Sequence, residues 1–298
     1  MAGEFDFINW VRWQQKPTAL VPLPVGDDLA GVAWPAGELL LVGVDQVLDG
    51  VHFDSAIHSP RDIGRKVMNR NLSDCAAMAC LPVAAVTTAA LPIGCGLDYA
   101  KELYLGMHAA AEVFGCVIVG GDTGSWPGKL VLTVTIMGHE GGVGPVQRSG
   151  AKPGDGIYVT GLLGGSILGR HMTFTPRVDA GRLAAARGAT AMIDLSDGLS
   201  RDLPHICSHS GVGAVIDATR VPIHSDAIEL SRRDGHTPLL HALHDGEDYE
   251  LLFTAPGDAS GFADIAVRIG EIVQDAGVWL DLDGGRMPLV NKAWEHQL

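Results

Sequence analysis

The chain has 298 residues, 47% hydrophobic and 19% charged, the balance of a well-packed globule with room for two domains. Its 35 acidic residues against 21 Lys and Arg leave a net charge of −14, which argues against broad contact with nucleic acid or an anionic membrane. An anionic substrate would need local basic groups or metal ions to neutralise it.

The five cysteines lie mostly in apolar runs with no Cys-x-x-Cys pair, as expected of reduced thiols in a cytoplasmic protein. The first residues carry acids and lack the apolar core of a signal peptide. No apolar run reaches the ~18–20 residues of a membrane span.

In chain order, Glu4 to Trp13 reads as a short helix, and Pro17, Pro22 and Pro24 hold the chain extended up to Gly26-Asp27-Asp28. Leu39 to Val44 is a predicted strand with Asp45 at its end. The spacing predicts a helix from Pro60 to Ala79. Met68, Leu72, Cys75, Ala76 and Ala79 form its apolar stripe, with Lys66, Arg70, Ser73 and Asp74 on the other side. A buried strand over Val83 to Leu91 and a helix over Tyr99 to Phe114 follow. Val117 to Val119 is a short strand entering Gly120-Gly121-Asp122-Thr123, and Leu130 to Met137 is another strand.

The glycine-rich run Gly138 to Gly156 marks a domain boundary, giving domains 1–140 and 141–298. In the second, Ile157 to Thr160 is a strand, and Met192 to Gly198 is a strand turning into the helix Leu199 to Ser210. Val212 to Ile216, Tyr249 to Phe253 and Val267 to Val273 supply further strands. Strands separated by helices in two similar halves indicate an α+β, or mixed α/β, protein.

Asp28, Asp45, Asp74 and Asp122 each end an apolar element. One such residue alone is commonly a turn or a cap. As a set they are better explained by convergence on Asp74 around cations, and oxygen-only ligands favour Mg²⁺ over zinc or copper. Asp194 and Asp197 form a further acidic site before a helix N-terminus that could attract phosphate, although an N-capping Ser196 or Asp197 suits the same spacing.

The Gly-rich stretches hold neither the P-loop nor the dinucleotide fingerprint, and protein-kinase signatures are missing. Gly121 could still let backbone amides approach phosphates, with Arg148 and Lys152 as cationic partners or as ordinary solvated linker charges. A lone His52 is usually structural. The acidic run Gly246 to Leu251 reads as a turn with a possible polar contact to substrate.

Seven motifs occur in order: Gly-Asp-Asp at 26, Asp-x-x-x-x-Gly-Val-His-Phe from Asp45 to Phe53, and Asn-Leu-Ser-Asp-x-Ala-Ala-Met at 71. Gly-Gly-Asp-Thr at 120, Arg-Ser-Gly-Ala-Lys-Pro-Gly-Asp at 148, Ile-Asp-Leu-Ser-Asp-Gly-Leu at 193 and Gly-Glu-Asp-Tyr-Glu-Leu at 246 complete the set. Together the chain resembles the thiamine-monophosphate kinase family, of the aminoimidazole ribonucleotide synthetase superfamily, over nearly its whole length. The resemblance implies a two-domain fold whose N-terminal domain binds ATP and Mg²⁺ and pairs into a dimeric barrel-like sheet, with a C-terminal α+β domain completing the site.

It implies ATP-dependent conversion of thiamine monophosphate to thiamine diphosphate by direct in-line transfer in a cytoplasmic homodimer. It assigns Asp28, Asp45, Asp74, Asp122, Asp194 and Asp197 to several Mg²⁺ ions. Gly121, Asp122, Arg148 and Ser196 fall to nucleotide, and His52, Glu247 and Trp294 to thiamine monophosphate. No general base is assigned. The chain departs from the family at Gly43 and Val44, which replace hydroxyl residues, at Asp245, which replaces Gly, and in the short run from Ser166 to Arg177. The alternatives are an ATP-dependent enzyme of the same superfamily with another small acceptor, and an inactive nucleotide-binding dimer.

Overall fold

The computed structural model describes residues 4–14, 18–19, 21–22, 30–257, 259–282 and 284–290. It divides into two compact units, Met1–Cys75 with Cys80–Gly141, and Ala76–Ala79 with Gly142–Leu298.

The N-terminal unit contains α1 (Glu4–Gln14), β1 (Leu40–Leu48), α2 (Pro60–Ala77), β2 (Leu81–Pro92), α3 (Leu97–Val113), β3 (Val117–Trp126) and β4 (Val131–His139). Its sheet runs β1-β4-β2-β3, antiparallel except for the parallel pair β2–β3. Ile63, Val67, Met68 and Leu72 of α2 are fully buried, each contributing roughly 1.5–3 kcal/mol by leaving water. The helices α2 and α3 meet backbone to backbone at Gly64 and Gly106. A Cβ on Gly64 would stand 2.0 Å from the Leu103 carbonyl oxygen, and one on Gly106 would stand 2.0 Å from that of Arg61.

Two local expectations change. Asp45 does not end β1, which continues through Val47, fully buried, to Leu48. The strand β3 does not stop at Val119 but runs to Trp126, because the twelve residues of β2 offer a partner along that length, pairing Thr88 with Asp122 and Pro92 with Trp126. On the other side of α2, Lys66 and Ser73 are as buried as the apolar stripe.

The C-terminal unit holds β5 (Gly156–Val159), α4 (Arg170–Thr173), α5 (Val178–Ala186), β6 (Ala191–Asp194), α6 (Leu199–Ser210), β7 (Gly213–Asp217), α7 (Ser225–Asp234) and α8 (Pro238–His244). It closes with β8 (Leu251–Ala255), β9 (Val267–Val273), β10 (Gly277–Leu282) and β11 (Gly285–Pro288). Its sheet runs β11-β10-β7-β9-β5-β8-β6, antiparallel except for β7–β10. Ile157, Val159, Ile216 and Leu252 of the sheet share a core with Leu203 and Ile206 of α6. Tyr158 and Phe253, from paired strands, stack with ring centres 5.1 Å apart. The strand expected from Tyr249 begins instead at Leu251, since Glu247 and Tyr249 take left-handed backbone angles that a strand cannot hold. Among the described residues no helix is long and apolar enough to cross a membrane.

Candidate active site

In the N-terminal unit, strand alternation sends Gly43 and Asp45 to the same face of β1, and α2 places Arg70 and Asp74 one turn apart. Arg70 Nε donates to Asp45 Oδ2 at 3.0 Å. A Cβ on Gly43 would lie 3.8 Å from Asp74 Oδ2, in ordinary contact. These two distances put Asp45 and Asp74 on one side of the β1–α2 pair. They offer only oxygen donors, a set that suits Mg²⁺, and Arg70 already compensates one of the charges.

Of the two departures on β1, only Gly43 faces this site. Val44 points to the opposite face and is 62% exposed, so its replacement removes no group from beside Asp74.

Asp122 is not brought beside Asp45. Their strands lie at opposite edges of the sheet order, three inter-strand steps or about 14 Å apart. It lines a cavity of about 280 Å³ together with Gly120, Gly121, Thr87 and Tyr104. Gly121 has a packing reason of its own: a Cβ there would stand 2.0 Å from the Thr87 carbonyl oxygen on the paired strand. His52 closes the turn after β1, its Nδ1 accepting the Leu48 N–H at 3.1 Å. Asp28 and Trp294 lie outside the described residues.

In the C-terminal unit, β6 ends at the buried Asp194 and the chain turns through Leu195, Ser196, Asp197 and Gly198 into α6. Neither Ser196 nor Asp197 caps this helix. Gly198 holds the cap position at φ 113° without a side-chain bond. Asp202 instead reaches back, accepting N–H bonds from Asp197 at 3.1 Å and Gly198 at 3.0 Å. Burial, then the charges of Asp194 and Asp197, push the Asp202 carboxyl up to about 8, against the pull of those two amides.

Asp197 pairs with Arg201 at 3.0 Å. Burial lowers the His205 pKa, and the charges of Arg148 and Arg201 lower it further. Arg148 is exposed, and its carbonyl accepts the Ser210 hydroxyl at 3.5 Å.

The turn carrying Ser196 is joined to the acidic run by backbone bonds. Glu247 N–H donates to Ser196 O at 2.7 Å and Tyr249 N–H to Leu195 O at 2.9 Å. Gly246, Glu247 and Tyr249 take φ values of 72°, 51° and 52°. Left-handed angles at non-glycine residues cost roughly 1–3 kcal/mol each and persist where surrounding contacts over-determine them.

Those contacts are plain. Glu247 pairs with the buried His171 at 3.1 Å and accepts the Tyr249 hydroxyl at 3.3 Å, while the Tyr249 ring stacks on Phe174. Asp248 takes the Gly164 N–H at 3.0 Å and Arg170 at 3.0 Å. Glu250 is gripped by Arg177 at 2.7 and 2.6 Å, with Thr160 donating at 2.6 Å. Asp245, the departure from Gly, accepts the Gly165 N–H at 2.8 Å and bonds His241 at 3.0 Å.

The short segment after the glycine loop therefore supplies Arg170 and His171 to this frame. Sequence reasoning missed His171, Arg177 and Asp202. Only Asp202 left a local signal, an acid four residues into the helix after Gly198.

The chain matches the family models for AIR synthase related protein, N-terminal domain, over residues 26–139, and its C-terminal domain, over residues 152–283. Two such domains define a mixed α/β protein of the AIR synthase related class. A thiamine-monophosphate kinase of Rhodopirellula baltica is 39% identical over 290 residues, covering 93% of this chain and 91% of the relative. The crystal structure of thiamine-monophosphate kinase from Stenotrophomonas maltophilia K279a is similar at a TM-score of 0.81 and 33% identity, over 94% of this chain and 96% of that one. AaThiL complexed with AMPPCP and TMP is similar at a TM-score of 0.79 and 29% identity, over 99% and 97%. The chain belongs to the thiamine-monophosphate kinase family.

Proposed function

We propose that the chain is a Mg²⁺-dependent ATP phosphotransferase that converts thiamine monophosphate to thiamine diphosphate by direct in-line transfer. The reading rests on family membership spanning both domains, in a family whose member AaThiL was crystallised with AMPPCP and TMP. The carboxylates of Asp45 and Asp74, both on the β1–α2 side, would supply the oxygen donors the chemistry needs.

In the N-terminal unit Asp45, Asp74 and Asp122 are metal ligands in this reading, with Asp28 as a further one, and Gly121 faces nucleotide. In the C-terminal unit Asp194 and Asp197 are metal ligands, and Arg148 and Ser196 bind nucleotide. Glu247 binds thiamine monophosphate, with His52 and Trp294 as further contacts. Bound Mg²⁺ neutralises phosphate charge that a −14 protein would otherwise repel. Phosphoryl transfer depends on placement and charge compensation, and the acceptor phosphate oxygen is already largely ionised at neutral pH, so no residue acts as general base. Asp202 holds the Asp197 and Gly198 amides in place, and His171 orients Glu247.

The chain also works as a homodimer in this reading. Leu40, Val42 and Val44, 52–62% exposed, line one face of the edge strand β1, and an apolar row on a sheet edge favours a second copy, closing a barrel-like sheet. A cytoplasmic setting is supported by five free cysteines, four of them buried.

The direct test is incubation of purified protein with ATP, Mg²⁺ and thiamine monophosphate, followed by chromatography. Thiamine diphosphate and ADP in equal amounts are expected. ATP binding without thiamine diphosphate at any Mg²⁺ concentration overturns the reading.

A further inference from the structure

Helices α7 and α8 are joined by a tight turn. Asp234 is the last residue of α7, Gly235 follows in the left-handed conformation at φ 79°, and Thr237 caps α8 through its side chain. This turn gathers Asp234, His236 and His241, whose ligand atoms all lie within 4.8 Å of one another. His241 Nε2 is 3.3 Å from Asp234 Oδ1, and His236 Nδ1 is 3.7 Å from Asp234 Oδ2. Bonds of ~2.0–2.1 Å to a tetrahedral ion require ligands about 3.3–3.4 Å apart, so the first pair is already spaced for one and the second is within a small side-chain rotation.

The second nitrogen of His241 also faces a carboxylate. His241 is 4% exposed, and its Nδ1 lies 3.0 and 3.1 Å from the two oxygens of Asp245. With the proton of the neutral imidazole on Nδ1 toward Asp245, the Nε2 lone pair is directed at the Asp234 carboxylate. That facing pair is satisfied by a cation between the two atoms, a second ring proton or a metal ion. The carboxylate–imidazole–metal arrangement is the usual support of a zinc ligand.

We propose that Asp234, His236 and His241 form a structural site for a zinc-class divalent ion, with Asp245 orienting His241 and water completing the coordination. The site differs in chemistry from the oxygen-only carboxylates of the N-terminal unit, because imidazole selects borderline transition ions over Mg²⁺. It also has a mechanical consequence. Asp245 holds the Gly165 N–H at 2.8 Å and is followed directly by the strained Gly246–Tyr249 run, so the ion would brace that run from the α7–α8 side.

The test uses the full chain, stripped with a chelator and kept in excess Mg²⁺, titrated with Co²⁺ as a spectroscopic stand-in for zinc. Expected are intense visible d–d bands of a tetrahedral centre, saturating at one ion per chain and abolished by Zn²⁺. His236→Ala removes an exposed ligand without touching the core and should weaken binding at least ~10-fold, whereas His236→Cys should restore it with a thiolate charge-transfer band. Asp74→Asn should leave the titration unchanged. Absence of the tetrahedral bands in the wild type, or equal binding by His236→Ala, would show that a proton alone sits between His241 and Asp234 and overturn the site.

Discussion

The two acidic regions are built on opposite principles. Asp45 and Asp74 ride on a regular strand and a regular helix, in unstrained backbone, and the pair is locked by the approach of α2 to β1. The run from Gly246 to Glu250 takes left-handed angles at Gly246, Glu247 and Tyr249, and its acids are held by ion pairs from two segments, Arg170 and His171 of α4 and Arg177 just before α5. Rigid elements suit groups that must meet a small ion at fixed distances. A strained run pinned by many contacts suits groups that must fit one molecular shape, because every contact shares in setting it.

The comparison breaks most visibly at Asp74. Asp74→Asn should lower turnover on the order of 10²–10³-fold, as loss of one charge-stabilising contact generally does, with an unchanged circular dichroism spectrum and thermal midpoint. Turnover close to wild type would remove Asp74 from the chemistry.

In the second region the largest effect should fall on stability. Arg177→Ala leaves Glu250, whose side chain is 7% exposed, with Thr160 alone. Breaking a buried pair costs 3–5 kcal/mol, and the 41% exposure of Arg177 reduces this to about 2 kcal/mol in urea unfolding. A loss below about 0.5 kcal/mol would mean that the run is held without this pair.

The pH dependence offers a sharper test of the same frame. Burial raises the Asp248 carboxyl from 3.8 to about 7, despite Arg170 and the Gly164 amide. The native state then binds more protons than the unfolded chain between those values, so this group's contribution to stability falls as pH rises from about 4 to about 7 and is flat above. Asp248→Asn should flatten that slope when urea midpoints at about pH 5 and about pH 8 are compared. An identical slope in the variant would assign it to other groups.

The smallest effect is expected at Gly43. A Cβ there meets only Ile136 Cγ2 at 3.7 Å and Asp74 Oδ2 at 3.8 Å, so Gly43→Ser fits and brings a hydroxyl beside Asp74. Mg²⁺ activation should tighten a few-fold, a gain of under about 1 kcal/mol. Val44→Ser, pointing to the other face, should leave it unchanged.

Several features of the molecule were legible in the residues alone. The 3.6-residue stripe from Met68 to Ala76 and the alternation through Val42, Val44 and Gln46 are set by local geometry, so α2 and β1 could be placed from spacing. The ordered motifs carried the family. What pattern could not supply was any pairing between distant residues. The β2 partner that prolongs β3 past Gly121 is one case, and the burial of Lys66 on the other side of α2 from its apolar stripe is another. His171 reaching Glu247 across 76 positions, and Asp234 facing His241 across a turn, are two more. Periodicity reports which face of an element is apolar. Which charge stands opposite which is decided only when the elements pack, because an ion pair or a ligand set depends on distances of a few ångströms between segments that the sequence leaves unordered in space.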